Sequence, residues 1–233
     1  MRVHFSILLL VLFVTFQQYF ENVQATVTYT CNPLATCGCS KYPAVLSKIV
    51  GGETVKTNSW GWAVSLRVNG RHRCGATVIS AFYMITAAHC LINIPSLSTV
   101  SVVVGINTLS QVGQTRMISK SHIHPQYNSI TFENDIAIIK LSTSLDMTDS
   151  LVSKICLPII DPNLLTTQDY PAIGTDLVAV GWGALTSDSQ MASSTLQQVT
   201  VQAISKTATT CKTILRNSAL QFCAGVAGGG KGT

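Results

Sequence analysis

Thr86-Ala87-Ala88-His89-Cys90 is the most informative segment of the chain, because it places a histidine directly beside a cysteine after a β-type apolar run. Two segments follow it in order. The first is Asn134-Asp135-Ile136-Ala137-Ile138-Ile139-Lys140-Leu141, in which an aspartate opens a markedly apolar strand, and the second is Gly181-Trp182-Gly183. An unpaired carboxylate next to such a strand would be costly to bury. Asp135 is therefore expected to have a partner. His89 is the candidate, and because it lies far from Asp135 in the sequence, only the fold can bring the two together.

Composition indicates a globular protein. Of the 233 residues 47% are hydrophobic and 11% are charged, which excludes a disordered polymer. The net charge of +5 is unevenly spread, since no Asp or Glu occurs from Thr54 to Phe132. The basic residues of that interval are Lys56, Arg67, Arg71, Arg73, Arg116 and Lys120. Because they are scattered, we interpret them as solvated surface charge, with attraction of acidic partners as the alternative, and we expect no nucleic-acid binding.

Residues 1–25 are typical of an export signal. Arg2 gives a positive start, Phe5 to Phe16 is almost wholly apolar, and Val23-Gln24-Ala25 offers small residues for cleavage. The alternative is a membrane anchor, but an apolar run of about 12 residues is well short of the roughly 20 that cross a bilayer. The sequence predicts a secreted, extracellular protein without stable membrane insertion.

Eight cysteines, an even number, fit an oxidising compartment. Cys31, Cys37 and Cys39 cluster near the start of the exported chain, where metal binding is the alternative to disulfides. Their spacing does not suit a zinc site, so bridges are favoured and no metal is expected. Together with Cys156 they allow three pairings.

Short β-branched runs separated by Gly, Asn, Ser and Pro indicate an all-β protein built from barrels or sandwiches. The clearest predicted strands are 64–68, 99–104, 135–141, 176–180 and 196–201. One helix is plausible around 207–216.

The order of these motifs resembles that of the chymotrypsin-like serine proteases. A further match is Ser47-Lys48-Ile49-Val50-Gly51-Gly52-Glu53, which is similar to the activation junction of the family's zymogens. The resemblance implies two six-stranded antiparallel β-barrels that pack side by side with the active site between them. It divides the chain into an activation propeptide, 26–48, and a protease domain, 49–233. The first barrel would span about 49–158 and the second about 159–233, incomplete in this chain.

The resemblance also assigns roles to the candidate residues. His89 would be the general base that takes the proton of a nucleophilic serine, and Asp135 would hold the imidazole tautomer and balance the imidazolium. Cutting after Lys48 would free Ile49, whose ammonium in the family pairs with the aspartate preceding the nucleophile. His72 would help the inactive precursor to hold its unformed pocket.

Disulfide pairing likewise comes from the resemblance. It pairs Cys74 with Cys90 and Cys211 with Cys223, and it leaves Cys156 to bond either Cys37 or Cys39. His122 and His124 lie in a surface-like segment and are expected to have no special role.

The family would continue after Gly232-Thr233 into Cys-x-Gly-Asp-Ser-Gly-Gly-Pro, which contains the nucleophile, and this motif does not occur in the 233 residues. As written, the chain would be inactive, and we expect it to be an incomplete record of an active enzyme. Gly232 corresponds to the floor of the primary substrate pocket. A glycine there offers no counter-charge, so we expect a preference for apolar or small side chains rather than strict cleavage after Lys or Arg.

The expected partners are protein or peptide substrates, an activating trypsin-like protease and protease inhibitors. No cofactor, calcium or N-glycosylation is expected. The alternative function is a secreted non-catalytic homologue that acts as a binding or regulatory module. A third alternative is a disulfide-rich structural or inhibitory domain. It would be limited to the segment from Cys31 to Cys39, which is too short to account for the function of the whole chain.

Overall fold

The structure is a computed structural model, and it describes residues 26–32, 34–47, 52–56, 58–159, 169–185 and 191–225. Within these residues the backbone forms twelve strands, two 3-10 turns and one short α-helix. The strands are β1 Thr26–Tyr29, β2 Ala44–Ser47, β3 Glu53–Thr54, β4 Ala63–Val68, β5 Arg71–Val78, β6 Tyr83–Thr86, β7 Val100–Val104, β8 Gln114–Ile123, β9 Ala137–Leu141, β10 Asp176–Gly181, β11 Gln197–Ile204 and β12 Cys223–Gly225. The 3-10 turns are Ala88–Cys90 and Leu97–Thr99, and helix α1 is Thr209–Lys212.

Six strands close into an antiparallel barrel in the order β4-β5-β6-β9-β8-β7. Alternate side chains point inward, as the period of a strand requires, and Val64, Leu66, Val102 and Ile139 are each fully buried. The β4–β5 connection is the two-residue turn Asn69-Gly70, with φ of 51° and 77°. Asn-Gly favours such a turn because both central residues need positive φ. The six-stranded barrel and the all-β class predicted from the sequence are confirmed.

A second sheet has the order β10-β11-β12. β12 pairs with the C-terminal end of β11, and β3 pairs with the N-terminal end of β11. Thr54 lies opposite Gln197, and Glu53 lies opposite Gln198. β3 falls within the stretch assigned to the first barrel by the sequence, yet it belongs to the second sheet. The chain therefore begins on the second sheet after the predicted activation junction and then crosses to the first barrel.

An apolar cluster joins the barrel to the second sheet. Its buried members are Val55, Val103, Ile106, Trp182 and Leu196. The Trp182 indole Nε1 donates a 2.9 Å hydrogen bond to the carbonyl oxygen of Asn107, so the ring is buried with its polar atom satisfied. This contact fixes the two sheets against each other.

The segment before the junction forms a hairpin in which β1 pairs with β2, and Thr26 lies opposite Ser47. Ala44 and Leu46 are buried against the body of the protein. The Cys37–Cys156 disulfide, which spans 119 residues, attaches this leader hairpin to the first barrel. The sequence did not predict either strand of the hairpin.

Each predicted strand has a counterpart in the structure, since β4, β7, β9, β10 and β11 overlap the five predicted runs. Helix α1 is shorter than the predicted interval 207–216. The predicted signal peptide, 1–25, lies outside the described residues. None of the helices in the described part of the chain is long and apolar enough to cross a membrane.

Candidate active site

His89 lies on the 3-10 turn Ala88–Cys90, which follows β6 directly. The residues on both sides hold it in place, because Ala88 is fully buried and Cys90 is 2% exposed. Cys90 is bonded to Cys74 on β5, so the turn is covalently attached to the neighbouring strand. Thr86 adds a 2.8 Å hydrogen bond from its hydroxyl to the carbonyl oxygen of Gly75. The backbone of His89 is therefore fixed at the rim of the barrel.

The structure brings Asp135 to His89 at two points. The imidazole Nδ1 lies 2.7 Å from Oδ2 of Asp135, and the backbone N–H of His89 donates a 2.9 Å hydrogen bond to Oδ1. Both carboxylate oxygens are thus engaged by one residue. The side chain of His89 is 49% exposed and that of Asp135 is 19% exposed. The carboxylate is sheltered while the imidazole remains accessible.

Asp135 is presented by the chain that leads into β9. Asn134, immediately before it, has a positive φ of 56°. The Asn134 side-chain amide donates a 3.0 Å hydrogen bond to the carbonyl oxygen of Gln126, and the N–H of Ile136 donates a 2.8 Å bond to the carbonyl oxygen of Asn134. Asn tolerates the left-handed region better than most residues. This local turn explains why the carboxylate projects from the end of the strand toward His89.

The arrangement defines which ring nitrogen can act. A neutral imidazole that donates its Nδ1 proton to the carboxylate has its lone pair on Nε2. Nε2 lies 3.4 Å from Sγ of Cys90, a disulfide sulfur that is a weak hydrogen-bond acceptor. The carboxylate also stabilises the imidazolium that forms when Nε2 accepts a proton. The pair can therefore act as a general base and then as a general acid.

Phe132 forms a wall of the site that the sequence analysis missed. Its ring lies edge-on to the His89 ring, with centroids 6.1 Å apart and planes at 82°. Phe132 has a positive φ of 55°, which is unusual for a bulky residue and costs about 1–2 kcal/mol. The sequence showed an aromatic residue three positions before Asp135, but nothing in it placed that ring against His89.

Gln221, from the segment before β12, reaches this loop. Its amide nitrogen donates to the carbonyl oxygens of Thr131 and Phe132, at 3.3 and 3.4 Å. Its carbonyl oxygen accepts bonds of 3.0 and 3.1 Å from the N–H groups of Arg216 and Asn217. Gln221 thereby joins the second sheet to the loop that supports the His89–Asp135 pair.

Tyr127 lies on the same side of the site and is partly buried. Burial and, secondarily, the negative charge of Asp135 raise the pKa of its phenol above the ordinary value of 10.0. The phenol therefore stays protonated, and neutral, throughout the physiological range. Sequence reasoning had no signal for this residue, because its proximity to Asp135 depends on the loop.

The other histidines of the described ranges lie apart from the pair. His72 Nδ1 is 3.0 Å from the Ser65 hydroxyl, and its ring packs edge-on to Trp182 with centroids 5.7 Å apart. Burial and, secondarily, Arg67 lower the pKa of His72 below its ordinary value of 6.5. His122 is exposed on β8, and Nδ1 of His124 accepts a 3.2 Å bond from the N–H of Gln126.

Four disulfides occur in the described residues. They are Cys31–Cys39, Cys37–Cys156, Cys74–Cys90 and Cys211–Cys223. The structure thus selects Cys37 over Cys39 as the partner of Cys156.

Cys74, His89 and Cys90 have potential metal-binding atoms within 4.8 Å of one another, but the two sulfurs are joined to each other and are not thiolates. The other sequence-predicted site residues, Lys48, Ile49 and Gly232, lie outside the described residues.

Comparison with known proteins supports the same assignment. A protein-family model described as Trypsin matches residues 49–233. Transmembrane protease serine 11C of Mus musculus is 37% identical over 141 residues, which cover 60% of this chain and 31% of that protein. Trypsin alpha of Drosophila melanogaster is 34% identical over 165 residues, and chymotrypsin-C of Bos taurus is 34% identical over 173 residues; each alignment covers 70% of this chain and 60% of the relative.

The closed barrel, the His–Asp pair and these matches define a chymotrypsin-like serine protease fold. The chain belongs to the trypsin family. It spans between 31% and 60% of the length of the three relatives.

Proposed function

We propose that this protein is a serine endopeptidase in which His89 is the general base and Asp135 orients it. The observation that carries the proposal is the two-point contact between them, through Nδ1 and through the backbone N–H of His89. A carboxylate that served only as a surface charge would not need to contact both groups. This contact fixes the ring orientation as well as the tautomer.

The reaction needs a serine hydroxyl near Nε2 of His89. In the first step the serine oxygen attacks the peptide carbonyl carbon while its proton passes to Nε2. Asp135 balances the imidazolium that results. In the second step His89 gives that proton to the leaving amine, and water then hydrolyses the acyl-enzyme with His89 acting as base again.

The serine itself is the part of the mechanism that the 233 residues do not supply. The family's Gly-Asp-Ser-Gly-Gly-Pro motif does not occur among them. Removal of the nucleophile alone lowers turnover by about 10⁶-fold in a related catalytic triad. The proposal therefore concerns this chain joined to a segment that contains the motif.

We infer that the protease is made as a zymogen, with residues 26–48 as propeptide and cleavage between Lys48 and Ile49. The Lys-Ile-Val-Gly-Gly sequence supports this, as does the pairing of Glu53 and Thr54 with β11 just downstream. An activator that cuts after lysine is required. His72, bonded to Ser65, is the residue that would stabilise the precursor form.

For the substrate, we propose proteins or peptides cut after apolar or small side chains, because Gly232 offers no carboxylate to pair with a basic side chain. Rapid cleavage of a peptide panel after Arg, with none after Phe, Leu or Ala, would refute this preference. We propose that the protein is secreted, where protease inhibitors are further partners. The leader sequence and the four disulfides support export.

The first test is to read the transcript beyond codon 233. A Gly-Asp-Ser-Gly-Gly-Pro sequence there supports the enzyme, whereas an immediate stop codon or a replaced serine overturns it in favour of a non-catalytic binding module. The second test compares His89→Ala with His122→Ala in the complete, activated protein. Peptidase turnover should be lost in the first variant and retained in the second. Equal turnover in both would remove His89 from the mechanism.

A further inference from the structure

The outer surface of the first barrel carries a small cationic and apolar patch on β6, β9 and β8. The register places Tyr83, Lys140 and Lys120 side by side across the three strands. The next outward row is Ile85, Ile138 and His122. We call these six residues the Lys120 face.

Lys120 and Lys140 lie directly opposite each other across the β8–β9 pair, where Cβ atoms are about 5 Å apart. Like charges in this position repel and destabilise the sheet. Among the described residues the ion pairs are His89–Asp135 and Lys206–Asp169, and neither involves a lysine of this face. The strands β6, β8 and β9 contain no Asp or Glu. An anion bound between the two lysines would relieve their repulsion.

The neighbours of the lysines are apolar and accessible. Tyr83 is 38% exposed, and Ile138, one row along β9 from Lys140, is 40% exposed. The ammonium of Lys140 lies 5.9 Å from the centre of the Tyr83 ring, a cation–π contact that holds its stem against the aromatic face. A ligand on the Lys120 face would therefore meet positive charge and apolar surface together.

The chemistry of the face discriminates among anions. A sulfated polysaccharide would gain little from covering Ile138 and Tyr83, because its surface is polar. An anionic membrane attracts each surface lysine by only about 1 kcal/mol, so two lysines are a weak anchor. An acidic protein segment with apolar side chains can use both features. Since rows on one strand face are about 7 Å apart, an extended peptide with a carboxylate two residues from an apolar side chain matches the spacing.

We propose that the Lys120 face binds an extended, acidic segment of a partner protein in which Asp or Glu and an apolar residue are two positions apart. The face lies on the strands that lead to the catalytic candidates, since β6 ends three residues before His89 and β9 begins two residues after Asp135. A bound segment would therefore lie on the same barrel as the active site. The proposal concerns binding alone and does not depend on turnover.

The test measures the anisotropy of a fluorescein-labelled peptide with Glu-Ser-Leu-Ser repeats in the presence of the secreted chain. Binding is expected to weaken with added salt. It should also weaken by about tenfold or more in a Lys120→Glu, Lys140→Glu double variant, because two attractions become repulsions. The double variant keeps two like charges opposite each other but loses the Lys140–Tyr83 cation–π contact, so it should be folded and slightly less stable than the wild type. The control is Lys56→Glu with Lys212→Glu, which makes the same charge change at two exposed sites elsewhere.

Two further peptides and one further variant sharpen the result. A Lys-Ser-Leu-Ser peptide should not bind, and a Glu-Ser-Ser-Ser peptide should bind more weakly than the Leu peptide. Lys140→Glu alone should weaken peptide binding, and its thermal midpoint should exceed that of the double variant, because both lack the Tyr83 contact and only the single variant has opposite charges across the strands. Equal affinity of the double variant and its control would overturn the proposal. So would binding of a heparin oligosaccharide or of phosphatidylserine vesicles with no binding of the Leu peptide.

Discussion

Trp60 donates a 2.8 Å hydrogen bond from its indole Nε1 to Oε1 of Gln198, a side chain that is 2% exposed. The amide nitrogen of the same Gln198 donates to the carbonyl oxygen of Val45, at 2.7 Å, and to Oε1 of Glu53, at 3.0 Å. One buried amide thus connects the leader hairpin, β3 and the barrel. Its loss would remove all three of these hydrogen bonds.

We therefore expect Gln198→Ala to destabilise the protein by about 1–3 kcal/mol, because three hydrogen bonds between separate segments are lost at one buried side chain. Gln202→Ala is the matched control, because Gln202 lies on the same strand and makes one exposed bond to Asp176. It should cost about 0.5 kcal/mol or less. Urea denaturation measures both, and equal losses would contradict the connecting role of Gln198.

Asp135→Asn should nearly abolish peptidase activity in the complete, activated protein while leaving the fold intact. With its one oxygen held by the backbone N–H of His89, the amide would turn its NH2 group toward Nδ1 and donate to it, so the imidazole would carry its proton on Nε2 instead. The equivalent exchange in a related protease lowers kcat by about 10⁴-fold. Steady-state kinetics check this loss. Asp169→Asn, which breaks the ion pair with Lys206 and removes no bond to His89 or Asp135, is the control and should leave kcat unchanged.

The lowered pKa of His72 predicts that the free energy of unfolding falls when the solution becomes mildly acidic. Its pKa in the fold is lower than its ordinary 6.5, so the unfolded chain binds the proton more readily. The stability that comes from keeping His72 neutral is fully present above about pH 6.5, and it is lost as the pH falls toward the pKa of His72 in the folded protein. The pKa of Asp146 is lowered from 3.8 by hydrogen bonds from Thr148, so its contribution is lost only in more acid solution.

The experiment compares wild type with His72→Gln by urea denaturation at pH 7.5 and at pH 5. The wild type should lose more stability between these two values than the variant does. An identical pH dependence in the two proteins would show that His72 is not the group responsible.

At Phe132 the usual order of stability of Ala and Gly variants should be reversed. Because its φ is positive, Phe132→Gly should be more stable than Phe132→Ala by about 1 kcal/mol, even though Ala normally favours a fixed backbone. At Phe82, an exposed aromatic residue outside the positive-φ set, Gly should be less stable than Ala. Thermal melts of the four variants test the pair of orders, and the same order at both positions would contradict the backbone argument.

Sequence reasoning identified the elements whose side chains repeat a clear apolar pattern. β7, β9, β10 and β11 are such runs, and the Thr-Ala-Ala-His-Cys and Asn-Asp motifs indicated which two residues the fold brings together. β8 was missed because Ile118 is its one fully buried residue, so its apolar alternation is faint. The leader hairpin was missed because its strands are four residues long and gain their stability from the body of the protein.

Two parts of the site could not be read from the sequence for a physical reason. The contacts of Phe132 with His89 and of Gln221 with the Phe132 loop join residues that are brought together by tertiary packing alone. Neither residue type carries a preference for such a contact. The choice of Cys37 over Cys39 likewise depends on where the leader lies on the barrel.

The bond between Cys37 and Cys156 has a practical consequence for anyone who isolates this protein. If the backbone is cut once between Lys48 and Ile49, the two polypeptides remain one covalent molecule. Electrophoresis without a thiol would show a single band before and after the cut, and a short fragment would be released only on reduction. The hairpin would accompany the mature protein as a second polypeptide.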